Sequence, residues 1–185
     1  MVDDPTPAIA ARLRAERKVR NWSLDEVAER SGVSKAMISK IERGEASPTA
    51  ALLGKLSGAF GLTLSALLAR AEERGGRLSR AAAQPRWRDP ETGYVRRQVS
   101  PPSDGPMELI EVELPPGKTV AYPASAYAFI RQLMWVISGR LTFVEGSTTH
   151  DLREGDCLEL GPPSDCVFRN DTKKPCTYLV ALVRR

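Results

Sequence analysis

The chain of 185 residues is 42% hydrophobic and 27% charged, which fits one large or two small globular domains. Its apolar runs are far shorter than the roughly 18 residues of a membrane span, and the opening MVDDPTPAIA has no signal-peptide pattern. Three cysteines, an odd number without a CxxC pair, fit a reducing compartment. We therefore expect a cytoplasmic protein with no membrane partner.

The net charge of +4 is unevenly distributed along the chain. Residues 1–83 contain 14 Lys or Arg against 10 Asp or Glu, whereas residues 84–185 contain 13 of each. A basic half beside a neutral half suggests that the first half meets a polyanion. Four charges can equally serve solubility alone, so this pattern is only one indication.

Residues 6–69 predict a domain of five helices. Hydroxyl caps and prolines mark the helix starts, glycines mark three of the ends, and Ile, Leu or Val recurs at helical spacing between them. A fifth short helix is expected over about 63–69. The start signals are Thr6-Pro7, the capping box Ser23-Leu24-Asp25-Glu26, Ser34 and Ser47-Pro48, and the end signals are Gly32, Gly44 and Gly61.

The remainder of the chain changes character twice. Residues 70–92 contain a double glycine, prolines and scattered arginines without an apolar stripe, which is typical of a linker. Residues 93–185 contain short apolar runs separated by turn formers, which favours a β-sandwich or barrel. The chain is thus a multidomain α and β protein. The predicted strands are YVRRQVS, MELIEVELP, 119–122, AFIRQLMWVI, RLTFVEG, CLELG, CVFRN and TYLVALV.

Two of the predicted helices, 23–31 and 34–43, are joined by a short turn that contains glycine, as in a helix-turn-helix. Such a unit can place its second helix in the major groove of DNA while the first crosses the phosphates. Lysine can donate to guanine, serine can bond to several bases, and a small apolar group can meet a thymine methyl. The candidate DNA-binding residues are Ser34, Lys35, Ala36, Met37, Ser39 and Lys40 on the second helix, with Ser23, Arg43 and Thr49 placed to reach phosphates.

The alternative for this half is a helical bundle with a solvated charged face. The stretch WSLDEVAERSGVSKAMISKIERGEASPT, however, resembles the DNA-binding domain of XRE (lambda-repressor-like) regulators. This resemblance covers about residues 6–69 and implies a five-helix fold with a recognition helix at 34–43. The chain has Leu24 where such domains often carry glutamine, which removes one polar phosphate contact from the expectation.

The stretches from Gly117 to Gly139 and from Gly155 to Asn170 resemble the two cupin motifs. The resemblance implies a small double-stranded β-barrel with an internal pocket. In the family, a His-x-His pair, a glutamate and a further histidine hold a metal ion. The corresponding positions here are Ser125, Tyr127, Gln132 and Cys166.

One histidine, His150 in the predicted turn STTHDLREG, cannot supply the imidazoles of a non-haem iron site. We therefore expect no metal, no cofactor and no enzymatic activity. A soft site formed by Cys166 with Cys157 is a weaker alternative than buried cysteine as apolar filler.

An aromatic and amide lining would suit a small organic effector, since stacking supplies area and a few polar groups orient the ligand. The alternative is that these side chains simply fill the barrel. The candidate effector-binding residues are Tyr122, Tyr127, Arg131, Gln132, Met134, Cys166 and Phe168.

The function predicted from these features is sequence-specific regulation of transcription, as a repressor rather than an activator. A homodimer would bind a palindromic double-stranded operator, and the cupin domain of residues 93–185 would serve as sensor and dimer platform. Two alternatives stay open. One is a non-haem metal enzyme like the phosphonate epoxidases that share this domain layout, and the other is an effector-free dimeric DNA-binding module.

Overall fold

Five α-helices open the fold in the computed structural model, which describes residues 6–68, 77–102 and 105–184. None of the described helices is both long enough and apolar enough to cross a bilayer. The structure confirms the five helices that the sequence predicted for this domain. They are α1 Thr6–Val19, α2 Leu24–Ser31, α3 Lys35–Glu42, α4 Ala50–Phe60 and α5 Leu64–Leu68.

The predicted caps of α2 and α3 are confirmed in atomic detail. Ser23 Oγ accepts a hydrogen bond from the N–H of Glu26 at 3.2 Å, and Glu26 Oε2 accepts one from the N–H of Ser23 at 2.7 Å. Ser34 Oγ accepts the N–H of Met37 at 3.3 Å. Gly32 ends α2 with φ of 65°, a left-handed conformation that glycine adopts without steric cost.

The predicted start of α4 at Ser47-Pro48 was two residues early. Thr49 is extended, with φ −77° and ψ 164°, and its Oγ1 accepts the N–H of Leu52 at 3.3 Å. Pro48 biases the residue before it away from helical geometry, so the first available hydroxyl cap is the residue after it.

One apolar cluster fills the helical domain. The predicted inward positions Ile38 and Ile41 of α3 are 2% and 0% exposed, which confirms the stripe expected from helical spacing. The other large buried side chains of this cluster are Ile9, Leu13, Val27, Leu53, Leu56, Phe60 and Leu67.

The β domain consists of ten strands in two antiparallel sheets. The six-stranded sheet has the order β1-β2-β3-β10-β5-β8, and the four-stranded sheet has the order β4-β9-β6-β7. The strands are β1 Arg86–Arg88, β2 Val95–Gln98, β3 Met107–Leu114, β4 Thr119–Tyr122, β5 Ile130–Ser138, β6 Arg140–Glu145, β7 Thr148–Arg153, β8 Cys157–Glu159, β9 Cys166–Arg169 and β10 Cys176–Arg184. Closure of the sheets into a double-stranded barrel stays a prediction.

Two strands lie where the sequence predicted none. β1 falls inside the segment 70–92 predicted as a linker, and its Trp87 is 3% exposed between two exposed arginines. β7 replaces the turn predicted around His150 and pairs with β6 along its whole length. Both strands are short or mostly polar, so their apolar alternation is too weak to detect. Residue 69 at the end of the predicted helical domain and residues 70–76 of the predicted linker lie outside the described residues.

Aromatic rings fill the space between the two sheets. Phe168 lies 4.8 Å from Phe143 and 5.9 Å from Tyr178, measured between ring centroids. Tyr122 meets Phe168 edge-on at 6.0 Å. Of these rings, Tyr122 lies directly against Gly54 of α4, which packs on β4 and on residues 124–127.

Helix α4 presses directly on the β domain. A Cβ atom at Gly54 would collide with the ring of Tyr122, and one at Gly58 would lie 2.9 Å from the carbonyl carbon of Ser125. Only glycine therefore allows this approach at either position. The two domains share a packed interface rather than a linker alone.

Polar contacts reinforce the interface beside α4. Thr63 Oγ1 donates to Glu108 Oε1 at 3.0 Å, and Arg96 Nη2 donates to Ser65 Oγ at 2.8 Å. Each bond joins the region of α5 to a strand of the six-stranded sheet.

Replacing Gly58 with alanine tests this close approach. An alanine inside a helix normally adds about 1 kcal/mol of stability, but overpacking against the backbone of Ser125 costs about 1–3 kcal/mol. We expect Gly58→Ala to lower the melting temperature in calorimetry. Lys55→Ala, an exposed change on the same helix, is the control and should leave it nearly unchanged. A stabilised Gly58→Ala protein would show that α4 stands clear of the β domain.

Candidate nucleic-acid interface and inter-domain cavity

The exposed side of α3 carries the candidate base-reading side chains. Ser34, Lys35, Ala36 and Lys40 are exposed, while the opposite side of the helix is buried in the helical core. Because side chains at a spacing of four share one face of a helix, Ala36 and Lys40 lie on the same exposed face, with Lys35 next to Ala36. The arrangement has the form that a helix entering the major groove requires.

Met37 differs from the expectation of an exposed contact. Its side chain is partly buried and packs against the apolar core of the helical domain. Ala36 beside it is exposed and remains the better candidate for apolar contact with a thymine methyl.

Two of the three cations in this region are held by carboxylates. Lys35 Nζ lies 2.8 Å from Asp25 Oδ2 of α2. Arg43 binds both carboxylate oxygens of Glu45 at 2.6 Å and also contacts Ser39 Oγ. Within the described part of the chain, Lys40 has no ion pair within 4 Å. Lys40 is thus the cation most directly available to a polyanion.

Arg43 and Glu45 form a charged pair at neutral pH. The hydrogen bonds from Arg43 lower the pKa of Glu45, and those to Glu45 raise the pKa of Arg43. Both groups are exposed, so solvent screens the pair. Little free energy is therefore lost when either group exchanges its partner. A phosphate can therefore replace Glu45 as the partner of Arg43.

The two helix ends expected to reach phosphates differ in charge. In the first turn of α2, the acidic residues Asp25 and Glu26 follow the cap residue Ser23. The hydrogen bond from the backbone N–H of Ser23 lowers the pKa of Glu26. The first turn of α4 after Thr49 contains no acidic residue. A phosphate is repelled at the first end and attracted at the second, since helix N-termini carry partial positive charge.

A buried ion pair fixes the end of α3. Glu42, with an 8% exposed fraction, receives Arg17 Nε and Nη2 on its two oxygens at 2.7 Å each. Arg17 also donates to the carbonyl of Trp22 at 3.1 Å, so it joins α1, α3 and the loop before α2. The Glu42 hydrogen bonds raise the pKa of Arg17. This pair sets the angle at which α3 is presented.

The candidate effector residues divide between two spaces. One is an inter-domain cavity of about 50 Å³ between α4, α5 and the β domain, and the other is an outer groove of about 410 Å³. The cavity is lined by Tyr122, Tyr127, Gln132 and Phe168, and the groove by Tyr127, Arg131, Gln132 and Cys166.

Met134 and Arg131 stand apart from the other candidates. Met134 lines neither space and is fully buried, because its inward position on β5 falls deep between the sheets. Arg131 is exposed and paired with Glu159, so it stands at the rim of the outer groove.

Sequence reasoning missed the charged residue of the inter-domain cavity, Arg96. In the predicted strand YVRRQVS, the two successive arginines must point to opposite sides of the sheet. Arg97 pairs with Glu111, whereas Arg96 lines the cavity. This alternation was a usable signal that one arginine faces the interior.

The residues at the cupin metal positions do not match an iron-binding set. Ser125, Tyr127, Gln132 and Cys166 supply no imidazole and no carboxylate. Burial raises the pKa of the Cys166 thiol to about 11, so the thiol stays protonated at neutral pH. Across residues 6–68, 77–102 and 105–184, no group of three His, Cys, Asp or Glu is arranged to hold a metal.

His150 is not the exposed turn residue that the sequence predicted. It lies in β7, and its ring stacks on Phe143 at 6.2 Å. Its Nε2 is buried, 3.9 Å from Glu145 Oε2. The residues around His150 are mostly polar, so the sequence lacks the apolar alternation that would have predicted this strand.

Comparison with known proteins agrees with this geometry. The helix-turn-helix family model HTH_3 matches residues 13–67. The HTH-type transcriptional regulator SutR of Escherichia coli (strain K12) is 42% identical over 60 residues, which are 32% of this chain and 34% of SutR. The match therefore spans about a third of the length of that relative. Residues 13–67 form a helix-turn-helix domain of the XRE type.

Solved structures extend the likeness to the whole chain. An HTH_3 family transcriptional regulator from Vibrio cholerae has a TM-score of 0.78 at 24% identity, with 96% of each chain covered. At that identity the likeness shows the shared two-domain fold. The Cupin_2 domain of an XRE family regulator from Enterobacter cloacae has a TM-score of 0.45 at 16% identity, covering 49% of this chain and 95% of that one.

Breaking the ion pair that fixes α3 should destabilise the helical domain. Arg17→Met leaves the buried carboxylate of Glu42 without its main partner, which costs about 3 kcal/mol. The double variant Arg17→Met/Glu42→Met should recover much of this loss, because it removes the unpaired charge. Chemical denaturation followed by circular dichroism measures both.

Lys18→Met, on the exposed side of α1, is the matched control and should change stability by no more than about 0.5 kcal/mol. Equal stability of Arg17→Met and Lys18→Met would contradict the structural role of the pair.

Proposed function

We propose that this protein is a sequence-specific DNA-binding regulator of transcription in which α3 reads bases in the major groove. The observation that carries the proposal is the exposed row Lys35, Ala36 and Lys40 on the second helix of a helix-turn-helix. The name of the matching relative, a transcriptional regulator, supports the same function. Lysine donors on guanine and a small apolar group on thymine would supply the discrimination.

The ion pairs around α3 would weaken non-specific binding. Asp25 and Glu45 hold two cations in the free protein, and both carboxylates would repel phosphates that approach without the matching bases. On a matching site, base and phosphate contacts would replace these exposed pairs at small cost. Specificity would thus include a repulsive component.

A homodimer on a palindromic operator is the second part of the proposal. The outward face of the six-stranded sheet exposes Leu133, Trp135 and Ile137 of β5, at 38–48% exposure. In register beside them lie Leu179 opposite Trp135, and Val183 opposite Met107. A second copy is the occupant that fits, since a two-fold pair would present two recognition helices to two half-sites.

An effector bound in the β domain would change this DNA affinity, and repression is the proposed sign of control. A dimer that covers promoter DNA excludes other proteins without any further contact, whereas activation needs an additional surface. The alternative of a metal-dependent enzyme would need ligands that Ser125, Tyr127, Gln132 and Cys166 do not supply. We propose that the chain is not such an enzyme, and stoichiometric iron in the purified protein would contradict this.

Charge changes around α3 should alter DNA affinity in opposite directions. With duplexes selected from a random-sequence library, Lys40→Ala should weaken binding by about 1–3 kcal/mol and relax discrimination. Glu45→Gln should strengthen binding about threefold or more, because it frees Arg43 and removes a repulsive charge. Fluorescence anisotropy at several salt concentrations measures both.

Matched controls are Lys118→Ala and Glu154→Gln, which make the same charge changes on exposed positions of the β domain. Parent affinity should fall about a thousandfold or more between 50 and 200 mM salt if at least six phosphates are contacted. If both α3 variants match their controls, α3 does not lie against DNA.

An acidic residue on the apolar sheet face should prevent dimerisation. Leu133→Glu would bury a charge in the proposed interface, so the protein should sediment at its chain mass of 20.3 kDa and bind palindromic duplexes more weakly. Thr149→Glu, an exposed change on the four-stranded sheet, should remain dimeric. A dimer that persists in Leu133→Glu would place the interface elsewhere.

A further inference from the structure

The inter-domain cavity has walls from both domains. Gly54 and Thr63 come from the helical domain, while Tyr94, Arg96, Tyr122 and Gln132 come from the β domain. Its volume of about 50 Å³ suits a molecule of a few heavy atoms.

Arg96 brings a positive charge to this cavity without a carboxylate partner. Its side chain is partly buried, and its guanidinium donates to Ser65 Oγ at 2.8 Å and lies beside the Tyr94 hydroxyl. No carboxylate in the described ranges lies within 4 Å of it. Since a guanidinium has five N–H donors and buried charges are normally paired, Arg96 still has donors available for an anionic acceptor.

Tyr122 brings a second unsatisfied group to the same space. Its side chain is 9% exposed, and its buried hydroxyl lies beside the Tyr94 hydroxyl without a well-formed hydrogen bond to any described residue. The ring itself is fixed between Gly54 and Phe168. Buried hydroxyls are nearly always bonded, so an orphan that lines a cavity indicates a missing partner.

We infer that this cavity binds a small monocarboxylate, whose oxygens accept from Arg96 and Tyr122 while its short apolar part faces Val180 and Leu182. One guanidinium balances one negative charge. Glu108 lies close enough to Arg96 to interact with its charge, and its Oε2 is buried without a hydrogen-bond partner among the described residues, so a second negative charge on the ligand is disfavoured. This inference rests on the proposed function in giving the effector site its chemical class and its connection to the helical domain.

The same contacts connect occupancy of the cavity to the helical domain. Ser65 lies in α5, so a carboxylate on Arg96 competes with a bond that holds the two domains together. The ligand also lies against Gly54 of α4, the helix that packs on the β domain. Because the ligand site differs between docked and undocked domains, binding shifts the balance between them.

Binding to the full-length protein tests the site directly. Acetate, propionate and butyrate are titrated by calorimetry at constant ionic strength, with chloride and sulfate as comparison anions. We expect saturable binding of at least one carboxylate, weakened about tenfold or more in Arg96→Gln. Arg140→Gln, the same change on an exposed strand position, should bind as the parent does.

Tyr122→Phe is a second variant that tests the site even if Arg96→Gln fails to fold. It removes only the hydroxyl and keeps the ring, so the fold should persist while carboxylate affinity falls several-fold. The inference would be overturned if the parent bound no carboxylate. It would also be overturned if the single variants Tyr122→Phe and Arg96→Gln both bound carboxylate as tightly as the parent. Equal affinity for sulfate and carboxylate would overturn the assignment to monocarboxylates.

A separate measurement distinguishes this inference from the proposed function. Duplex affinity is measured with and without the bound carboxylate, in the parent and in Ser65→Ala, which keeps Arg96 but removes its inter-domain acceptor. We expect the carboxylate to change parent DNA affinity about fivefold or more, and Ser65→Ala to reduce that change. DNA binding without carboxylate binding would overturn the inference alone. Carboxylate binding without DNA binding would overturn the proposed function and leave the cavity assignment standing.

Discussion

The close approach of α4 to the β domain is the constraint on which the rest of the structure depends. Gly54 and Gly58 allow the helix backbone to reach Tyr122 and Ser125, and any side chain at either position would hold the domains apart. This contact forms one wall of the inter-domain cavity and brings α5 within reach of Arg96. It also makes α4 a member of two interfaces, because its other side packs in the helical core against α2 and α5.

The polar groups of the molecule are satisfied very unevenly. Around α3, the buried pair of Arg17 with Glu42 is complete and rigid, whereas the exposed pairs near it exchange partners easily. In the largely aromatic cavity, Arg96 has no carboxylate of the described residues within 4 Å, and the buried hydroxyl of Tyr122 has no well-formed hydrogen bond to them. A rigid buried pair is expected in a structural support, and exposed pairs that exchange partners are expected on a docking face. Unsatisfied buried groups are expected in a ligand site.

Most of the secondary structure could be predicted because local signals coincide. The capping box at Ser23, the cap at Ser34 and the glycine at Gly32 each satisfy backbone groups within a few residues, so the chain needs no distant partner to define these helices. The strand β7 and the strand β1 were missed for the opposite reason. Each is held by pairing with a neighbouring strand. Its own apolar and polar side chains alternate too weakly to predict a strand.

The candidate sites divide in the same way. The sequence by itself determined the helix-turn-helix and the exposed row Lys35, Ala36 and Lys40, because helical periodicity and capping decide which side of α3 faces outward. Only the tertiary structure decided that Asp25 and Glu45 hold two of the nearby cations, that Met134 is buried filling, and that Arg96 meets Tyr122 beneath α4. Those outcomes depend on contacts between residues far apart in the chain, and local pattern carries no information about such distances.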